Sequence, residues 1–313
     1  MGILWVFPGQ GAQTVGMSAG FMDHPLTKPL FDEADTTLGF GLSALMRAGD
    51  PATLTLTENA QPALLLAGYA AAFYAQKQSG KPLAAHAAFV AGHSLGEYTA
   101  LTVAGVFTLA EGLRLVRTRG HAMQAAVPAG HGAMAAVLGV PLDTVNKIAA
   151  AHGVAVANDN SDGQVVLSGA AAAMEAASAA LKEAGAKRVV PLPVSAPFHS
   201  PLMAPAAKVM AAELAQVPNR TPAVPVLLNT TARPATDPAL IKEQLVAQVT
   251  GSVRWRESMK TAAEAGITQV VEFGVGKVLA GLAPRCDSRL TAQSLTSPAE
   301  VDAFLTSALA AAS

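Results

Sequence analysis

A serine set between two glycines, Gly92-His93-Ser94-Leu95-Gly96, follows the apolar run Ala87 to Ala91 and precedes a helix-like stretch. That is the pattern of a nucleophile elbow, a tight strand-to-helix turn that presents a hydroxyl at the start of a helix. Glycine suits positions 92 and 96 because neighbouring backbone must pass close to such a turn, where a Cβ would clash. Unpaired N–H groups and the helix dipole would favour negative charge developing beside Ser94. The same residues also fit a serine N-cap after a buried strand.

A serine hydroxyl is a weak nucleophile until a base takes its proton. Of the seven histidines, His93 adjoins the serine, but the elbow sends its side chain elsewhere. His24, His86, His131 and His152 lie in polar or helix-end contexts, and His121 lies within a helix. His199 follows the serine in chain order, as the base of elbow enzymes generally does. It sits in Pro197-Phe198-His199-Ser200-Pro201, where two prolines keep it out of regular helix. It reads either as the base or as a loop histidine bonded to backbone.

The loop Gly9-Gln10-Gly11-Ala12-Gln13-Thr14-Val15-Gly16 follows a short apolar run, Ile3 to Phe7. Thr14 breaks the dinucleotide fingerprint G-x-G-x-x-G. The loop can instead offer backbone N–H groups to an oxyanion, or serve as a plain turn. Gly274-Val275-Gly276-Lys277-Val278 lacks the earlier glycine and the hydroxyl residue of a phosphate loop, so it reads as a strand-to-helix turn. No H-E-x-x-H motif or cysteine pair is present, and no metal is expected.

These residues need elements to hold them. After Ser94 a helix runs to about Ala104, and a second covers roughly Leu109 to Ala126. Its apolar face is Leu109, Leu113, Val116, Gly120 and Met123, and Arg119 lies closer to that face than Arg114 does. Arg119 therefore either offers a cation to the interior or snorkels to water. Before the elbow, Pro51 to Ala60 reads as a threonine-rich link. Gln61-Pro62 then opens a buried helix, Ala63 to Gln78.

Between residues 130 and 194 the texture changes. Strands at Ala133–Leu138, Val154–Ala157, Gln164–Ser168 and Lys187–Val194 alternate with helices at Pro141–His152 and Ala170–Ala184. The segment Asn158 to Gly163 reads as a loop of unassigned role that carries Asp159 and Asp162. The order βαββαβ is a ferredoxin-like unit, and it interrupts a larger α/β domain formed by 1–129 and 195–313. Beyond the insert, a helix from about Leu202, a strand at Val224–Leu228, helices from Pro238 and Trp255, a strand at Ile267–Phe273 and a closing helix, Pro298–Ala311, complete the chain.

Composition narrows the function classes. With 313 residues, 51% hydrophobic and 14% charged, the chain can bury a sizeable core. A formal net charge of −1 gives no global attraction to nucleic acid or an anionic membrane. Cys286 stands alone, which excludes an internal disulfide and suits a reducing, cytoplasmic compartment. No signal peptide is read at the start, and the apolar stretch Ala63 to Ala75 is shorter than the ~20 residues of a membrane span.

Taken together, Phe7 to Gln13, Gly92 to Tyr98, Arg119-Gly120 and Pro197 to Ser200 resemble the malonyl-CoA:acyl carrier protein transacylases of bacterial fatty-acid synthesis. So do Asn59 to Ala63, Asn158 to Asn160, Gln248 to Trp255 and Gly274 to Leu279, so that the likeness runs from about Trp5 to Arg285. It implies an α/β-hydrolase-like core with the ferredoxin-like insert, and a monomer is expected. It implies that Ser94 is acylated, that His199 is its base and acid, and that the Gln10 and Leu95 amides form the oxyanion hole. Arg119 would hold the malonyl carboxylate. Gln248 would help orient the histidine as a neutral amide, which fits the lack of an obvious triad acid. No cofactor is implied: CoA and the carrier's phosphopantetheine are substrates. Lys187, Arg188, Arg254, Arg256, Lys277 and Arg285 are candidates to meet an acidic carrier protein. A serine thioesterase or esterase, the transacylase subunit of a malonate decarboxylase and a non-catalytic carrier-binding module are the alternatives.

Overall fold

The computed structural model describes residues 2–128, 130–194 and 196–310. The expected domain boundaries at Ala129 and Ser195, and the expected end of the last helix at Ala311, lie outside them. Ten strands are present among the described residues: β1 (Gly2–Phe7), β2 (Phe89–Gly92), β3 (Gly132–Leu138), β4 (Ala155–Ser161), β5 (Gln164–Ala170), β6 (Arg188–Pro191), β7 (Val226–Leu227), β8 (Pro234–Ala235), β9 (Ile267–Phe273) and β10 (Thr291–Leu295).

They form two sheets. The larger has the order β10-β9-β1-β2-β7-β8. It is parallel throughout except for β8, which returns antiparallel on β7. A parallel strand is covered on both faces and so reads as a continuous apolar run. In β1 the alternation is strict: Trp5 and Phe7 pack towards the long helix Thr57–Ser79, while Leu4 and Val6 pack towards Trp255, Met259 and Leu279. The smaller sheet, β4-β5-β3-β6, is antiparallel throughout, and its strands are joined through the helices Leu142–His152 and Ala171–Glu183. The chain order there is strand, helix, strand, strand, helix, strand. No helix among the described residues is long and apolar enough to cross a membrane.

Several expectations are corrected. The threonine-rich link contains a helix, Pro51–Thr55, and the long helix begins at Thr57, with Pro62 inside it. Pro62 has no N–H to give the Glu58 carbonyl one turn back. Arg117 Nη1 donates to that carbonyl instead, at 2.7 Å, so the proline does not end the helix. Residues 158–161 are strand and not loop, because β4 stays paired with β5 through two register shifts. Strands β8 and β10 were not anticipated as elements, while the strand-to-helix turn read at Gly274–Val278 does lead from β9 into the helix Val278–Cys286.

Candidate active site

The elbow forms where β1 and β2 lie side by side. A Cβ on Gly92 would stand 1.9 Å from the Gly96 carbonyl, and one on Gly96 would stand 2.1 Å from the Phe7 carbonyl oxygen. Only glycine allows these strands and the helix Leu95–Val103 to pass this closely. Ser94 itself sits at φ 53°, ψ −110°, a sparsely populated conformation that costs about 1–3 kcal/mol and must be held by its surroundings. Asn229 supplies that hold. Its Oδ1 accepts from the Ser94 amide at 2.8 Å, and its Nδ2 donates to the Gly92 carbonyl at 2.7 Å.

His199 also has a positive φ, 58°, in its proline-flanked segment. Its Nε2 lies 2.7 Å from Ser94 Oγ. Its Nδ1 faces the main-chain carbonyls of Gln248 and Gly251, at 2.9 and 3.1 Å. Carbonyls only accept, so Nδ1 carries the proton and Nε2 presents its lone pair to the serine. Burial and then the nearby Arg119 charge push the imidazole down to about 3. It is therefore neutral near pH 7 and able to take a proton.

Arg119 turns inward and is 1% exposed. Its Nη1 donates to Gln61 Oε1 at 2.8 Å, and Nη2 donates to Gln248 Oε1 at 2.9 Å and to Ser94 Oγ at 3.1 Å. Its guanidinium carbon is 5.6 Å from the centre of the Tyr98 ring. These acceptors are all neutral, so a buried cation stands beside the serine without a carboxylate bonded to it. Such a cation favours a ligand that brings an anion.

The expected side-chain contact between Gln248 and His199 is not present. The Gln248 amide bonds Arg119 through Oε1, and Ser94 O and Glu97 Oε2 through Nε2, while only its backbone carbonyl reaches the histidine. Gln10 and Leu95 line the same cavity of about 320 Å³ as Ser94, His199 and Arg119. The Leu95 amide is in the first turn of its helix, where N–H groups lack intrahelical partners. Gln10 is fixed by its side chain, whose Nε2 donates to Thr57 Oγ1 at 3.1 Å.

Of the remaining histidines only His93 lines this cavity among the described residues, and its Nε2 is 2.8 Å from Asn160 Oδ1 rather than on the serine. The loop carboxylates gain a role. Asp159 and Asp162 both bind Arg256, at 2.9 and 2.6 Å, tying β4 to the helix Trp255–Glu264. That removes Arg256 from the free cations. Arg254 is paired with Glu257, and Arg285 donates to Gln164 at 3.1 Å. Lys277 and Arg188 are exposed, and the Lys187 side chain lies over Gly139.

Asn229, Glu97 and Tyr98 complete the site and were not singled out by motif reasoning. Asn229 follows a two-residue strand with no pattern around it. Glu97 carried a usable signal, the one charged residue in the helix Leu95–Val103, which is buried on every face.

The acyl transferase domain family matches residues 4–281. The malonyl CoA-acyl carrier protein transacylase of Salmonella typhimurium is 45% identical over 307 residues, covering 96% of this chain and 98% of that protein. The protein of the same name from Bacillus subtilis strain 168 is 42% identical over 306 residues, covering 96% and 95%. The acyl-carrier-protein-S-malonyltransferase of Bartonella henselae superposes with a TM-score of 0.95 at 43% identity, covering 98% and 99% of the two chains. A malonyl-transacylase solved in complex with its type II PKS acyl-carrier protein superposes at 0.94 and 38% identity, covering 98% and 100%.

Proposed function

This chain belongs to the malonyl-CoA:acyl carrier protein transacylase family, and we propose that it moves a malonyl group from CoA to a carrier-protein thiol through a malonyl-serine. The observation that carries the reading is a serine hydroxyl 2.7 Å from a neutral imidazole and 3.1 Å from a buried guanidinium.

Ser94 Oγ attacks the thioester carbonyl as His199 Nε2 takes its proton. The oxyanion that forms is met by the Gln10 and Leu95 amides, each donor contributing ~2.7–4 kcal/mol in comparable sites. The C–S bond then breaks, and His199 returns the proton to the departing CoA thiolate. The carrier's phosphopantetheine thiol enters the same cavity and runs these steps in reverse, a ping-pong cycle. Arg119 pairs with the free malonyl carboxylate through two parallel hydrogen bonds, which a lysine could not offer. Gln248 positions both partners, the histidine through its main chain and the arginine through its amide. The two sheets are read as an α/β-hydrolase-like core and a ferredoxin-like insert, which roofs the cleft.

Mass spectrometry after mixing with malonyl-CoA is expected to show a malonyl adduct on Ser94 that persists until a carrier thiol is added. Rapid loss of the adduct to water would favour a thioesterase, and transfer by a Ser94→Ala variant would overturn covalent catalysis.

A further inference from the structure

Below the cavity floor lies a carboxyl group that the transfer chemistry leaves unused. Glu97, in the first turn of the elbow helix, is 1% exposed. Its Oε2 accepts from Gln248 Nε2 at 2.8 Å and from the Asn229 amide at 3.2 Å. Its Oε1 is buried and has no hydrogen-bond partner among the described residues. The Gln248 amide thus has Glu97 at one end and Arg119 at the other.

Resting on the acyl-transfer reading, we infer that Glu97 binds a proton from solvent when a carboxylate-bearing acyl group seats on Arg119, and releases it when that group leaves. One O–H bond forms at the unpartnered Oε1 as the bond holding that proton to a solvent hydronium or buffer acid breaks, and no covalent bond of the substrate changes.

The physical ground is charge balance in a dry site. With the cavity empty, Arg119 favours the ionised form of Glu97. A substrate carboxylate on the guanidinium cancels that field and adds a second negative charge nearby. Two carboxylates cannot both stay ionised around one buried cation without a large desolvation cost. Burial already pushes the Glu97 carboxyl up to about 7, so near neutral pH a modest change in field shifts its proton occupancy. The pair Arg119 and Glu97 would give way to Arg119 and substrate, and the net charge of the site would hold constant. An acetyl group brings no carboxylate and would take up no proton.

The surrounding elements offer few rivals. Strands β1 and β2 carry no titratable side chain. On the helix Leu109–Ala125, Glu111 pairs with Arg220 and His121 pairs with Glu58 of the long helix, while Arg117 bonds the Glu58 carbonyl. Tyr74 and Lys77 of the long helix engage Asp302 and Phe73, and Tyr69 stacks on Phe73. On the helix Pro238–Thr250, Lys242 bonds the Val217 carbonyl and Glu243 lies beside Gln244. Tyr98 adjoins Glu97, but burial pushes its phenol up to about 12. His199 and His93, which lines the same cavity, are the remaining candidate acceptors, and the experiment separates them from Glu97.

The Ser94→Ala enzyme lacks the attacking hydroxyl and is expected to bind thioesters without turning them over. Calorimetric titration near pH 7, in two buffers of different ionisation enthalpy, counts the protons exchanged. Net uptake is expected with malonyl-CoA and none beyond it with acetyl-CoA, whose CoA phosphates are the same. Adding Glu97→Gln, which can keep both accepted hydrogen bonds, should abolish the uptake and flatten the weakening of malonyl-CoA binding as pH rises. Uptake that survives Glu97→Gln would assign the proton to one of the two cavity histidines, His93 or His199, and overturn the inference, as would tight malonyl-CoA binding without uptake. If the double variant does not fold, Ser94→Ala alone decides. Malonyl-CoA affinity should then fall with rising pH relative to acetyl-CoA, and equal pH dependence overturns the inference. Malonyl-CoA binding no tighter than acetyl-CoA would instead sink the reading of Arg119 as the seat of the malonyl carboxylate, and leave transfer through Ser94 standing.

Discussion

Ser94, His199 and Arg119, on the floor of the cleft, are each held by two or more hydrogen bonds to side chains and carbonyls around the large sheet. Met134, Leu192 and Val194, which line the same cavity around the small sheet, face it with apolar surface. The polar fastening of the small sheet is concentrated on one strand. At β4, Val253 bonds the Ala157 carbonyl and Asp159 bonds the Val253 carbonyl, at 2.8 and 3.0 Å, beside the Arg256 ion pairs and the Asn160–His93 contact. The difference suits the work. Acyl transfer needs reacting atoms fixed to within a fraction of an ångström, whereas a wall that must admit two different thiol carriers in turn needs shape more than polar precision. Changes on the floor should therefore alter chemistry or acyl preference, and changes at the seam should alter affinity and stability.

The sharpest way to break that contrast is Arg119→Ala. Losing a buried, charge-assisted pair with the malonyl carboxylate should lower kcat/KM for malonyl-CoA by on the order of 10²–10³-fold. Acetyl transfer should hold or rise, since a neutral acyl group leaves the guanidinium unpaired. Parallel assays with the two thioesters check this, and equal losses would remove Arg119 from acyl selection.

A smaller effect concerns pH. The buried His199 imidazole, pushed down to about 3, stays neutral far below the ordinary histidine range. Protonation disables the base, so activity is lost only as pH falls through that lowered value. The acid limb of kcat/KM for acetyl-CoA should thus lie well under pH 6.5, the ordinary value. Arg119→Ala removes the second of the two main causes of the depression and should move the limb upward while burial still holds it below 6.5. A wild-type limb at 6.5, or no movement in the variant, would show that the floor does not tune its base.

Much of the floor was legible in the sequence because its constraints are local. Gly92 and Gly96 are dictated by a turn of five residues, and the prolines around His199 fix backbone within a few positions. Arg119 showed its direction only as a choice between two readings, since periodicity places a side chain on a helix face without saying what it meets. The small sheet's chain order was legible from alternating patterns. The seam was not: Asp159 and Asp162 looked like loop acids because their partner, Arg256, lies more than ninety residues on in the chain. Asn229 stayed hidden for the same reason, since the Ser94 amide and the Gly92 carbonyl that its side chain holds are more than 130 positions away. Strand β10 failed for another cause: as an edge strand, mostly half-buried, it lacks the apolar run that marked β1 and β9.

The seam supplies the mildest test. Arg256 is the cation on Asp159, whose side chain is only 5% exposed. Arg256→Ala would leave that carboxylate buried without its partner, a loss of about 1–2 kcal/mol once partial solvent screening is allowed for. Burial already raises the Asp159 carboxyl above its usual range despite Arg256. Without the cation it should rise further, and the variant should shed part of the penalty by binding a proton as pH falls. The expected result is a lower Tm whose deficit narrows in mild acid. KM for the carrier protein should rise, with kcat for malonyl transfer close to wild type. A fall in kcat at unchanged KM would mean that β4 helps to place the reacting atoms, and that floor and roof are one machine instead of two.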